Sequence, residues 1–172
     1  MAIKQFYLQA IPFHNEGIAI KKNINIVEQF RKVAEINWAK RKLEAETLVK
    51  LMDSILPRSS WSNHAWKYND GVIDNDAFID VENSMVLFFS FRCDLTQKDL
   101  AFLKQMLAIC ERFDLNLFDL EGEVSIPPYD NMDDLIKGSR NYRYLIDPVG
   151  FFGTLDRTKS IKLPYIVIGE EE

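Results

Sequence analysis

Acidic residues crowd residues 70–80 of this chain, and carboxylates at such density suggest either a cation site or an acid–base pair. Calcium requires six to eight oxygen ligands from a tightly turned loop. The run that starts at Asp74 begins like an EF-hand loop, but Phe78 stands at its fifth position and Ile79 replaces the required glycine. We therefore predict no calcium site. The carboxylates are then either solvated charges or a docking surface for a basic partner.

Other catalytic chemistry has little support in the sequence. The two histidines, His14 and His64, lie fifty residues apart, and no Cys-x-x-Cys zinc motif is present. Cys93 ends an apolar run and Cys110 lies on the apolar side of a predicted helix, so we expect buried free thiols. The chain also lacks a nucleophile elbow and a glycine-rich phosphate loop. We predict no catalytic residue, metal or cofactor; an unrecognised hydrolase or transferase site would need His14 or His64 beside two carboxylates.

Charge is divided unevenly along the chain. Residues 70–134 carry fifteen acidic and four basic side chains, a net charge of −11, whereas residues 1–69 carry +5 and residues 135–172 carry +1. Such a division steers oppositely charged partners. The overall charge of −5 repels nucleic-acid phosphates, so we expect no nucleic-acid partner.

Two tryptophans lie in a polar part of the sequence, at Trp61 and Trp66. Core packing is one interpretation. Tryptophan is also enriched at the centres of protein interfaces, so contact with a partner is the other.

The periodicity of apolar residues predicts an α+β fold: a single domain over residues 1–172, with a mostly antiparallel sheet packed against two main helices, about 25–55 and 97–113. A break in the first helix is expected near residues 40–42. The chain has no leader-like apolar start and no membrane-length apolar run, so we expect a cytoplasmic protein without membrane contact, either monomer or dimer. Strands are expected at about 6–13, 77–82, 85–91, 116–120, 124–126, 142–146 and 161–168, with a short helix from 130 or 131 to 137.

One segment carries a family resemblance. It comprises a hairpin of Phe78–Val81 and Val86–Arg92, a helix ending at Leu107–Phe113, and the strand and turn Asn116–Gly122. This arrangement, over residues 78–123, resembles small bacterial immunity proteins encoded beside polymorphic or contact-dependent growth inhibition toxins. The match covers about 46 of 172 residues and does not extend to residues 1–56.

The resemblance implies a non-catalytic protein that binds and neutralises the C-terminal domain of a cognate toxin, in many such systems a basic nuclease. An acidic surface would favour such a partner. A phage or mobile-element accessory protein that acts as a regulatory binder is the alternative. The candidate partner-binding residues are Asp70, Asp74, Asp76, Asp80, Asp119, Glu121, Glu123, Trp61 and Trp66.

Overall fold

The computed structural model describes residues 4–12, 34, 36–68, 72–121 and 123–150. Six strands within these residues pair in antiparallel fashion, in the order β2-β3-β4-β1-β5-β6. With several helices beside this sheet, the predicted α+β class is confirmed. The strands are β1 (Gln5–Pro12), β2 (Ala65–Lys67), β3 (Asp76–Glu82), β4 (Met85–Asp94), β5 (Leu115–Phe118) and β6 (Val124–Ser125).

The core lies on one face of the two central strands. Leu8 pairs with Phe91 and Ala10 pairs with Phe89, so these four side chains share a face of the sheet, and all four are buried. Trp38 is buried as well and donates its indole N–H to the carbonyl oxygen of Ala10 at 3.2 Å. This hydrogen bond fastens a helix to the middle of the sheet.

The predicted hairpin is present as β3 and β4. Its turn residues Asn83 and Ser84 have φ angles of 49° and 65°. Two consecutive positive φ angles are typical of a tight turn whose twist matches the flanking strands. A register shift at Asp80 and Val81 marks an irregularity in the same hairpin.

A backbone contact causes the predicted break in the first helical stretch. Lys42 has a φ of 52°, and the residues after it pair with the end of the hairpin. Val86 donates its N–H to the Leu43 carbonyl at 3.0 Å, and Ala45 donates to the Ser84 carbonyl at 2.9 Å.

The helices are α1 (residues 36–41), α2 (Ala45–Asp53), α3 (Ala101–Arg112), α4 (Met132–Gly138) and α5 (Arg140–Ile146). The predicted helical residues 25–33 lie outside the described ranges.

Helix α3 begins later than the sequence predicts. Thr96, which directly precedes the predicted helix 97–113, instead donates its N–H (2.9 Å) and its hydroxyl (2.6 Å) to Oδ1 of Asp94. The helix starts at Ala101 and packs on the sheet through Phe102, whose ring meets Phe91 edge-on at a centroid distance of 6.4 Å. The hydrogen bonding needs of the buried Asp94 carboxylate therefore delay the helix.

The predicted strand at 142–146 is wrong, because these residues belong to helix α5. Ser139 caps this helix by accepting a hydrogen bond from the N–H of Tyr142 at 3.3 Å. Apolar and aromatic residues at Tyr142, Tyr144 and Ile146 imitate the alternation of a strand, but the helix lies at the surface with no fully buried residue. The predicted strand 161–168 lies outside the described residues. None of the described helices has the length and apolar character needed to cross a membrane.

Candidate functional site

The order of the strands separates the candidate partner-binding residues into two groups. Five of them lie near the edge formed by β2 and β3, and three follow β5 near the opposite edge. Neighbouring strands are about 4.8 Å apart, so the two outer strands are separated by about 24 Å. Asp70 lies outside the described residues. The first group is Trp61, Trp66, Asp74, Asp76 and Asp80; the second is Asp119, Glu121 and Glu123.

Carboxylates of the first group are largely neutralised within the protein. Asp76 lies opposite Arg92 in the sheet, and the guanidinium donates to both carboxylate oxygens, with Nε 2.8 Å from Oδ1. Asp74 lies 3.5 Å from the ammonium of Lys67. These oxygens therefore serve ion pairs rather than a calcium loop, and Asp76 contributes little net charge to the surface.

Asp94 anchors the same region from inside the protein. Its side chain is fully buried, accepts the N–H of Asp74 at 3.0 Å, and lies 3.1 Å from the Lys4 ammonium. Burial raises the pKa of Asp94, but hydrogen bonds from Thr96, Lys4 and Asp74 outweigh it, so the pKa lies below its ordinary value. Asp94 stays ionised and holds the loop before β3 against the loop after β4.

The two tryptophans have different positions. Trp66 is 1% exposed, and its indole N–H donates to Oδ1 of Asp53 at 2.9 Å. It belongs to the core, so the expectation that it contacts a partner is not retained. Trp61 is 72% exposed, in the loop before β2, and Asp80 is also exposed. These two remain accessible to a partner.

The second group borders a cleft of about 310 Å³ between the β5–β6 turn and helix α4. We call it the acidic cleft, because four carboxylates line it. Three of them belong to the group that follows β5, and the fourth is Asp134 of α4. The sequence predicts the short helix but gives no sign that its first turn faces the β5–β6 turn. The lining residues are Asp119, Glu121, Glu123, Asn131, Asp134, Leu135, Gly138 and Ser139.

Asp119 organises the turn beside this cleft. Its Oδ1 accepts the N–H groups of Glu121 at 2.8 Å and of Glu123 at 2.9 Å. The residue is 4% exposed, and within the described part of the chain no hydrogen bond reaches its Oδ2. Burial raises the pKa of Asp119, the two backbone hydrogen bonds oppose that rise, and repulsion from Glu121 and Glu123 adds to it.

Side-chain contacts fix the walls of the acidic cleft. Glu121 accepts the backbone N–H of Arg140 at 2.8 Å, which joins the turn to the start of α5. The guanidinium Nε of Arg140 is 3.9 Å from the same carboxylate. Asn131 donates to the Val124 carbonyl at 3.2 Å and also bonds the hydroxyl of Ser125, so α4 is tied to β6. The four carboxylates are therefore carried on connected elements.

Among the described residues that line the acidic cleft there is no histidine or cysteine. His64 precedes β2, at the opposite edge of the sheet, and His14 lies outside the described residues. Cys93 and Cys110 are free and buried, and burial raises the pKa of both thiols. Across the described ranges, no group of three or more histidine, cysteine, aspartate or glutamate residues is arranged to hold a metal ion.

Comparison of the chain with models of known protein families, with curated proteins and with solved structures found no match. The resemblance of residues 78–123 to immunity proteins thus stays a sequence-based expectation.

Proposed function

We propose that this protein is a non-catalytic immunity protein that binds and neutralises a cognate toxin with a basic surface. The observation that carries the proposal is the convergence of Asp119, Glu121, Glu123 and Asp134 on one cleft. Arg140 lies beside Glu121 at the margin of this cleft, and its guanidinium contact of 3.9 Å is long for an ion pair. The acidic cleft thus offers negative charge to an external cation.

Electrostatics supports this cleft over the other acidic group as the docking surface. Complementary charge raises association rates and selects a partner of opposite sign. At the other edge of the sheet, Arg92 and Lys67 already lie beside Asp76 and Asp74. The proposed docking surface therefore includes Asp119, Glu121 and Glu123 from the sequence-based set and adds Asp134.

We place this activity in the cytoplasm, the compartment where an immunity protein meets an incoming toxin. The two free, buried thiols agree with a reducing compartment. A phage or mobile-element regulator is the alternative class. Protection of cell growth against the neighbouring toxin distinguishes the two functions, because a regulator would not protect.

The test starts from co-purification of this protein with the product of the adjacent gene, followed by measurement of affinity over a range of salt concentrations. The variant E123K/D134K reverses two charges at the acidic cleft. D80K/E82K makes the same change at two exposed residues of β3 and serves as the matched control.

We expect the cleft variant to weaken binding by about 100-fold, because like charges at an interface cost several kcal/mol. It should also flatten the dependence of affinity on salt, whereas the control should retain wild-type affinity within about threefold. Equal effects of the two variants would exclude the acidic cleft as the docking surface. Failure of the adjacent product to bind, together with no protection of growth, would reject the immunity function.

A further inference from the structure

We infer that the outer face of strands β2, β3 and β4 binds a second copy of this chain, so that the protein forms a weak symmetric dimer. This face lies at the other edge of the sheet from the acidic cleft, and the inference is independent of the proposed function. It starts from exposed aromatic side chains with opposite charges on either side of them.

An aromatic pair lies on the face of the β3–β4 hairpin that points away from the core. Alternate residues of a strand point to the same face, and Ala77 and Ile79, on either side of Phe78, are buried in the core. Phe78 therefore points outward, and its ring centroid is 6.3 Å from that of Phe88. We call Phe78 and Phe88 the aromatic patch. Because Phe78 is 37% exposed, the patch offers aromatic surface to a partner.

The backbone of edge strand β2 is not available for pairing with another strand. Ser59 donates its N–H to the Ala65 carbonyl at 2.7 Å, and Lys67 donates its N–H to the Pro57 carbonyl at 3.1 Å. The segment 57–59 thus covers the edge of β2, and this arrangement prevents strand addition. A partner at this edge must contact the side chains of the outer face.

The open part of this face is small. On the two central strands, the residues of the same face are covered, since Gln9 of β1 and Ser90 of β4 are buried. Phe78 and Asp80 of β3 are exposed. Interfaces of limited area are characteristic of weak association, so we expect a dimer that dissociates on dilution.

Opposite charges lie on either side of the aromatic patch. Ala65 and Phe78 are paired and form a central row, and Lys67 and Asp80 are each two residues from that row, about 7 Å away in opposite directions. The Lys67 side chain is 47% exposed, more than Asp74, which lies 3.5 Å from it. Among the described residues, no ion pair reaches the exposed Asp80. One end of the surface is therefore basic and the other acidic.

A two-fold axis brings these opposite charges together. If the axis passes through the central row, between the two sheets and at right angles to their strands, the row of Lys67 in one copy faces the row of Asp80 in the second copy. The contact occurs twice, and Phe78 packs on Phe78 of the second copy. Asp76 shares the row of Lys67, but Arg92 compensates its charge. A purely basic or purely acidic partner would instead place a like charge against one end of the surface.

The experiment is sedimentation velocity on the full chain over a wide range of concentration. We expect a monomer at low micromolar concentration and a dimer at high concentration, with a dissociation constant of about 0.1 mM. A wild-type protein that stays monomeric at about five times that concentration would overturn the inference. Association that continues beyond the dimer would overturn the two-fold arrangement, because an isologous contact closes after two copies.

Charge reversal tests the contact between Lys67 and Asp80. K67E and D80K each place like charges together at both symmetric contacts, so each should weaken dimerisation at least about tenfold. The double variant K67E/D80K restores opposite charges and should dimerise with wild-type affinity. An equimolar mixture of K67E and D80K should also associate, since opposite charges then meet at both contacts. Failure of both the double variant and the mixture to recover association would overturn the inference.

A change at the aromatic patch provides a test that does not depend on charge. Phe78→Ser should abolish the dimer, whereas Ile126→Ser, at an exposed apolar residue just after β6, should leave it unchanged. Equal effects of F78S and I126S would count against the patch as the interface. Urea unfolding of each variant establishes that it is folded. If K67E does not fold, K67A replaces it and should weaken dimerisation in the same direction.

Discussion

Asp76 and Arg92 face each other across strands β3 and β4, and the guanidinium of Arg92 bonds both oxygens of the Asp76 carboxylate. This pair shows that part of the negative charge of residues 70–134 is compensated within the fold. Lys4 and Lys67, from the basic first part of the chain, complete the compensation by pairing with Asp94 and Asp74. The uneven charge of the sequence is therefore partly cancelled in the fold, and the acidic cleft is where carboxylates remain concentrated.

Loss of the Asp76 charge should destabilise the protein. Asp76→Asn removes the negative charge and one of the two oxygens that accept from the partly buried Arg92 guanidinium, so we expect a decrease of about 2 kcal/mol in the free energy of unfolding in urea. Asp80→Asn, four residues along the same strand and exposed, is the control and should change stability by less than about 0.5 kcal/mol. Equal stability of the two variants would show that the pair is solvated rather than structural.

Asp94 should make stability depend on pH in the acid range. Its folded-state pKa is below the ordinary 3.8, so its stabilising contribution is fully present above that value. The contribution is lost as the pH falls from there through the lower folded-state pKa. Asp94→Asn should therefore lower the urea midpoint clearly at pH 6 and much less at pH 2.5. A constant difference between the proteins at both pH values would contradict this linkage.

Local periodicity predicted much of this fold, whereas contacts distant in sequence determined the site. The hairpin, helix α3 and the short helix after Pro128 each have a local pattern of apolar residues or turn residues. The sequence pattern places the start of α3 too early, because Thr96 donates a hydrogen bond to the Asp94 carboxylate instead of beginning the helix. Asp94 needs such donors because its side chain is buried by the tertiary fold.

The acidic cleft also depends on contacts between residues that are distant in sequence. Pairing of Asp76 with Arg92 requires the register of two strands, and the approach of Asp134 to Asp119 requires the packing of α4 on a turn. A charge count along the chain contains neither relationship. The sequence thus indicated that carboxylates matter, but it could not separate the compensated ones from those of the acidic cleft.

Asp119 should show the opposite pH dependence to Asp94. Its folded-state pKa is above the ordinary 3.8, so ionisation of Asp119 lowers the free energy of unfolding. This loss of stability develops as the pH rises from 3.8 through the folded-state pKa. Asp119→Asn should be neutral or stabilising at pH 7. Asp119→Ala removes the acceptor of the Glu121 and Glu123 N–H groups and should cost about 1–3 kcal/mol. Urea unfolding of both variants at pH 7 and pH 4 provides the measurement, and a strongly destabilised D119N would reverse the sign we assign.

Tryptophan fluorescence can locate the docking surface, because the three tryptophans differ in exposure. Trp61 is 72% exposed, whereas Trp38 and Trp66 are buried, so iodide should quench mainly Trp61 in the free protein. Trp61→Phe should remove the quenchable emission without changing stability. Trp66→Phe should cost about 1–3 kcal/mol, because it deletes buried contacts and the hydrogen bond to Asp53.

Trp61 lies near β2, about 24 Å across the sheet from β6, where the acidic cleft is situated. Partner binding at the cleft should therefore leave the quenching of Trp61 unchanged, with W61F as the blank for the buried tryptophans. Protection of Trp61 in the complex would instead place the β2 edge in the interface. The variant E123K/D134K reverses two charges of the acidic cleft and leaves the β2 edge unchanged. If the partner still protects Trp61 from iodide in this variant, Trp61 and its loop are the principal contact.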